Sequence, residues 1–271
     1  MSGTVITLTS DFGLADPYVA EMKAVVLSEC ARYPHDRERP TLIDVSHEVP
    51  AHDIAAAGWL LARISARFPA GTVHLVVVDP GVGTARPAVA AGARGSYHVG
   101  PGNGLFSCLA EARDLAVVLL DRPEYTCGRR EPAPTFHGRD LFTVVAAHLA
   151  MGAPLHQVGS PGGATDLGVL PEEDHADDGA LGRVIWIDRF GNAITDIKRD
   201  SMQGRRLAAG AVLRLGEGVA TGPVTTYGAA ARGELIWYWG SGGDLELAVR
   251  GESAAAVWNW LPGLALHEVL P

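Results

Sequence analysis

The chain has 271 residues, 47% hydrophobic and 20% charged, the profile of a soluble globular protein with one large or two unequal domains. A net charge of −9 and the lack of a basic run argue against nucleic acid as a partner and leave a small molecule, for which an acidic surface suits a cation. Three cysteines without CxxC spacing (Cys30, Cys108, Cys127), no apolar run near ~18 residues and no basic leader argue against a disulfide framework, a zinc cluster and a membrane partner, so a cytoplasmic protein is expected.

Residues 5–9 (VITLT) read as a buried strand, and residues 17–28 as an amphipathic helix entered through Asp16 and Pro17. Residues 41–45 form the next expected strand. Residues 53–67 follow as a helix, with Asp53 as candidate N-cap. Residues 73–78 (VHLVVV) are almost wholly apolar, as suits a strand covered on both faces. Strand-like runs at 88–91, 97–99 and 116–120 precede a helical pattern at 140–151. This alternation predicts an α/β domain with a largely parallel sheet.

From residue 159 to 182 the chain turns polar, with glycine, proline and an acidic core, EEDHADDGALG. The expected division is a domain at 1–165, a linker at 166–182 and a second domain at 183–271. Short β-like runs at 184–187, 193–197, 212–215, 235–239 and 245–249, separated by glycine turns, predict a compact all-β domain, a small barrel or sandwich.

Four turns sit at the ends of expected strands: TSDFG, VDPGVGT, GPGNGL and TFHGRD. Ligands of open α/β sheets gather outside the carboxyl ends of the strands. Asp11 and Asp79 both belong there, each just past an apolar strand. Phosphate-loop, dinucleotide and nucleophile-elbow signatures are absent. His47, Glu48 and His52 imitate a metal motif, but the spacing is one residue too long and Pro50 would break the required helix. No metal is expected. Arg86, seven residues after Asp79, and His137 complete a set able to orient a water and handle its proton.

The set TSDFG, DPGVGT, GPGNGL, TFHGRD and DRFGNAITDI resembles the S-adenosylmethionine hydroxide adenosyltransferases, relatives of the fluorinating and chlorinating enzymes that attack the same carbon with halide. The resemblance runs in order from Asp11 to about Ala256. It implies hydrolysis of S-adenosyl-L-methionine at the ribose 5′ carbon, an N-terminal α/β domain and a C-terminal β-barrel-like domain. It also implies a homotrimer with substrate between neighbouring subunits. By that resemblance Asp79, Arg86 and His137 match the water-handling triad, and Asp11 the aspartate on the ribose hydroxyls. Asp188 matches the carboxylate for the methionine ammonium, and Phe190 and Asn192 match residues facing adenine. Ser241 matches a serine near the amino-acid carboxylate, with Glu246 on the strand that follows. Read from the residues alone, Asp188 to Asn192 is a tight turn between strands. The chain departs from the family pattern at Gly102, where GPGNG replaces GPDNG, and after TFHGRD, where LFTVV replaces the frequent FAP.

The implied reaction displaces a sulfonium from a saturated carbon, so the protein supplies alignment and a desolvated nucleophile, and no cofactor is required. Halide transfer is the alternative. Halogenating relatives carry Tyr-Pro where this chain has Asp79-Pro80, and a carboxylate there repels an anion. A non-catalytic S-adenosylmethionine or adenosine binder is the other alternative; it would need the pocket but not the triad.

Overall fold

The computed structural model describes residues 4–128, 131–170, 179–207 and 210–269; residues 171–178, most of the acidic stretch, lie outside them. The chain divides into two compact units, residues 1–171 and 172–271.

In the first unit the expected alternation is present. It runs β1 (Val5–Ser10), α1 (Tyr18–Ala31), β2 (Thr41–Ser46), α2 (Ile54–Ser65), β3 (Val73–Val77), β4 (Ala88–Ala93), β5 (Ser96–Pro101), β6 (Ala116–Leu119), α3 (Thr143–Ala150) and β7 (Ser160–Gly162). The sheet order is β2-β1-β3-β5-β4-β6-β7. Strands β2, β1, β3 and β5 are parallel neighbours. Strand β4 is antiparallel to both β5 and β6, so β6 shares the common direction, and only β4 and β7 oppose it. The antiparallel part begins where β4 returns to β5 through a two-residue turn, too short for the crossover that a parallel pair needs.

Burial explains the apolar runs. Every residue of β3 is buried, and α1 and α3 pack on each other over a core that includes Ile6, Leu8, Met22, Leu75, Val99 and Phe142. Helix α1 continues three residues past its expected end, to Ala31, and no side chain caps its start. Asp53 does cap α2, accepting from Ala56 N at 2.8 Å.

The helical pattern expected from residue 140 begins at Gly138. Residues Gly138–Phe142 form a π-helical turn, with Thr143 N and Thr143 Oγ1 both bonded to Gly138 O. A Cβ on Gly138 would stand 3.2 Å from Val77 Cγ1, so glycine lets this turn settle against the end of β3. Residues 164–167 form a 3₁₀ turn, and Leu167 O receives Gly104 N at 2.8 Å, so the start of the expected linker is packed on the first unit.

The second unit is a closed barrel. Its elements are β8 (Gly182–Ile187), β9 (Ala193–Lys198), α4 (Met202–Arg206), β10 (Val212–Leu215), β11 (Gly218–Thr221), β12 (Leu235–Trp239), β13 (Asp244–Val249), α5 (Ala254–Trp258) and β14 (Ala265–Val269), closing as β10-β11-β12-β13-β9-β8-β14. All five expected β runs are strands. Strands β11 and β14 and the two short helices, each of four or five residues, were not among the expected elements. Strand β14 closes the ring between β10 and β8. Trp237, fully buried at the barrel centre, donates Nε1–H to Ala211 O at 2.8 Å.

Candidate active site

The parallel register sets up the first cavity. Ser10 pairs with Val77, so the chain leaves β1 and β3 side by side, and Asp11 and Asp79 emerge at the same carboxyl edge. Both line a cavity of about 390 Å³ together with Phe12, Tyr18, His52, Phe136 and His137. Three of the rings, Phe12, Tyr18 and Phe136, meet edge to face with centroids 5.4 to 5.7 Å apart. Asp11 Oδ2 accepts the N–H of His52 at 2.9 Å.

Arg86 ties the set together. Its Nε donates to Asp79 Oδ1 at 2.8 Å, its Nη2 donates to Asp79 Oδ2, and the same Nη2 donates to His137 Nδ1 at 2.9 Å. The guanidinium lies 5.3 Å over the Phe142 ring, and Nη1 reaches Pro87 O at 3.1 Å. Arg86 and Asp79 side chains are 9% and 6% exposed, so the pair is shielded and bidentate, the strong form of such contacts. Burial first, and Arg86 second, hold the His137 pKa below its ordinary 6.5. A guanidinium has no acceptor, so His137 Nδ1 carries no proton and its hydrogen sits on Nε2. The arrangement offers a carboxylate acceptor and an imidazole N–H donor around one space, which is what orienting a water requires.

The GPGNG turn braces this edge. Asn103 Nδ2 donates to Val78 O at 3.0 Å, holding the segment that leads to Asp79. At Gly102 a Cβ would stand 2.1 Å from Asp166 O, so the backbone of residue 166 occupies the place where the family pattern has an acidic side chain.

The metal-like histidine is otherwise engaged. His47 Nδ1 meets Ser10 Oγ at 2.7 Å and its Nε2 meets Asp44 Oδ1 at 3.1 Å, joining the ends of β1 and β2. Among the described residues no group of three or more His, Cys, Asp or Glu could hold a metal ion.

A second cavity, about 590 Å³, belongs to the barrel and is lined by Asp188, Phe190, Asn192, Tyr227, Gly251 and Ser253, among others. Asp188 organises the β8–β9 turn. Its Oδ1 accepts Phe190 N and Asn192 N, both at 2.9 Å, and its Oδ2 accepts Asn192 Nδ2 at 2.8 Å. The tight-turn reading and the ligand reading are therefore compatible, since a carboxylate has about four acceptor sites and three are used. Phe190 is 76% exposed, an open ring face at the cavity wall. The other two expected residues lie elsewhere. Ser241 is exposed in the turn between β12 and β13, and Glu246 is buried on β13.

Sequence reasoning missed the tyrosines. Tyr238 sits in LIWYW, which reads as plain core strand, yet it is the cross-strand partner of Glu246 and donates to Glu246 Oε2 at 2.7 Å. Tyr227, in a 3₁₀ turn without a motif, joins its hydroxyl to that of Tyr238 and receives Asn192 Nδ2 at 3.3 Å. Phe12 and Phe136 also line the first cavity and were not singled out either, although each stands next to an expected site residue inside its motif.

Comparison with known proteins places both units. Residues 6–159 match the SAM hydroxide adenosyltransferase N-terminal domain, and residues 182–266 match the C-terminal domain of the same name. The chain is 40% identical to the (R)-S-adenosyl-L-methionine hydrolase of Thermus thermophilus over 95% of its own length and 96% of that protein. A fluorinase of Nocardia brasiliensis is more distant, 28% identical over 97% and 96% of the two chains. An uncharacterised conserved protein from Thermotoga maritima, solved as a crystal structure, is similar with a TM-score of 0.79 and 32% identity, covering 98% of this chain and all of that one.

Proposed function

The chain belongs to the S-adenosylmethionine hydroxide adenosyltransferase family, and on that premise we propose that its Asp79–Arg86–His137 set delivers water to S-adenosyl-L-methionine. The enzyme is an S-adenosyl-L-methionine hydrolase: water attacks the ribose 5′ carbon and the products are adenosine and L-methionine. The observation that supports these residues is the guanidinium that bridges a carboxylate and a neutral imidazole at the wall of one cavity.

The tautomer divides the labour. His137 Nε2–H donates to the water oxygen, and Asp79 accepts one of its hydrogens, which turns an oxygen lone pair toward carbon. Arg86 acts behind them as a positioning residue. As the oxygen–carbon bond forms, the carbon–sulfur bond breaks and its electron pair neutralises the sulfonium. The water then yields its proton through Asp79 to solvent. The sulfonium is itself the leaving group, so this reading needs no cofactor.

In the same reading Asp11 holds the ribose hydroxyls. Asp188 receives the methionine ammonium, while Phe190 and Asn192 face the adenine. Ser241 and Glu246 are less direct, given their places in the barrel. The N-terminal domain carries the water-handling groups, and the C-terminal domain carries the groups assigned to methionine and adenine. We assign a cytoplasmic homotrimer with substrate at subunit interfaces; among the described residues no helix is long and apolar enough to cross a membrane.

Halide transfer is the weaker reading, because the Asp79 carboxylate lines the cavity and would repel an anion. One assay separates the readings. Incubation with S-adenosylmethionine in chloride- and fluoride-containing buffer, followed by chromatography, should yield adenosine and methionine in equal amounts. A 5′-halo-5′-deoxyadenosine peak would support halide transfer, and unchanged substrate would leave a binding protein.

A further inference from the structure

Beside the barrel cavity, three hydrogen bonds run in one direction, from Asn192 through Tyr227 and Tyr238 to Glu246. Glu246, buried on β13, is an acceptor as a carboxylate, so Tyr238 spends its only O–H on Glu246 Oε2. The Tyr238 oxygen must then accept, and its partner there is the Tyr227 hydroxyl. With that hydrogen committed, the Tyr227 oxygen can only accept, and it faces the side-chain amide of Asn192 at 3.3 Å. Asp188 Oδ2, 2.8 Å away, is a second acceptor facing the same amide. Both phenol pKa values are raised, chiefly by burial, so neither hydroxyl gives up its proton at neutral pH.

Two acceptors on one side leave the amide no choice. Its two N–H groups point to Asp188 and Tyr227, and its oxygen is the atom left for a ligand. An amide turned the other way would set two oxygens 2.8 Å apart without a hydrogen between them. Asn192 is 6% exposed and lines the cavity, so its orientation is set before any ligand arrives.

We infer that the Tyr227–Tyr238–Glu246 chain holds Asn192 with its carbonyl oxygen toward the ligand, selecting a purine that carries a 6-amino group over one that carries a 6-oxo group. This rests on the reading that Asn192 faces the base. An adenine amino group donates to the amide oxygen, whereas hypoxanthine would set its carbonyl oxygen against it. Tyr227 is a positioning residue through its oxygen, and Tyr238 and Glu246 act only through Tyr227. Glu246 thereby serves recognition from a buried place on β13.

Calorimetric titration of the full chain with adenosine and with inosine tests this without any turnover. The parent should bind adenosine about tenfold or more tightly than inosine, the size expected of one well-placed base contact. Tyr238→Phe frees the Tyr227 hydrogen to turn onto Asn192, and Glu246→Gln allows the chain to reverse; with Asp188 still opposing a turned amide, each should cut the adenosine preference about threefold without abolishing it. Melting curves confirm that each variant is folded, and either variant alone suffices. Equal losses for both nucleosides, with the parent ratio kept, would mean a merely structural role and overturn the inference. Equal binding of both nucleosides by the parent would overturn the amide orientation. Binding of neither by the parent would remove the base-facing reading itself.

Discussion

Arg86 donates to His137 Nδ1 at 2.9 Å, and that contact decides what the histidine can do. A neutral ring whose Nδ1 lone pair is occupied has only an N–H to offer at Nε2. It can therefore orient a water but cannot take its proton without first releasing Arg86. In the proposed reading the acceptor for the proton is the carboxylate, which the same guanidinium holds through two bonds.

Isotopically labelled water should place its oxygen in the 5′-hydroxyl of adenosine. Mass spectrometry of adenosine formed in heavy-oxygen water measures this. Unlabelled product would rule out direct attack and point to a covalent route.

His137→Ala should cut kcat by a hundredfold or so while KM stays within a few-fold, because the ring acts on the nucleophile and not on bound substrate. Arg86→Ala should also slow turnover and, in addition, raise the His137 pKa. Arg86 is one of the causes that lower it, so its removal lets the ring protonate at higher pH, which NMR titration of the ring reads directly. An unmoved pKa with unchanged turnover would make the contact only structural.

Asp79→Tyr should abolish hydrolysis. It removes the carboxylate and leaves the shielded Arg86 without its bidentate partner, a change that costs about 3–5 kcal/mol in comparable buried pairs. Asp79→Asn retains the shape and should lose most activity with a smaller fall in melting temperature. Parent-like turnover in both variants would refute the triad and the preference for water over halide.

Acid should unfold the first unit early. His74 and His98 are stacked in its sheet, and burial lowers their pKa values to about 4 and about 3 from 6.5. Below pH 6.5 the unfolded chain takes up protons that the folded chain refuses, so stability falls as pH falls toward those values. The slope is up to about 1.4 kcal/mol per pH unit per histidine. Urea titrations between pH 7 and pH 4 should show a flatter dependence for His98→Phe than for the parent. An identical slope would place the acid sensitivity elsewhere.

Much of this was legible in the chain itself. The all-apolar VHLVVV announces a strand covered on both faces, and Asp53 before an apolar helical pattern announces a cap; both are local consequences of period and chemistry. The motifs put Asp11 and Asp79 at strand ends and offered Arg86 and His137 as partners able to handle a water, a set that the resemblance then matched. Strands β11 (GVAT) and β14 (ALHEV) mix small and polar residues with few apolar ones and are partly exposed, so only closing the barrel selects them.

What only the tertiary structure decided is direction. Residues 86 and 137 stand 51 positions apart, and nothing local says which ring nitrogen meets the guanidinium. Residues 192, 227, 238 and 246 are joined only because β12 pairs with β13 and the 3₁₀ turn carrying Tyr227 brings its hydroxyl to Tyr238. Sequence determines which donors and acceptors exist, because these are properties of each side chain. Which of them face one another, and so which hydrogens are committed and which atoms remain for substrate, follows from packing across strands distant in sequence.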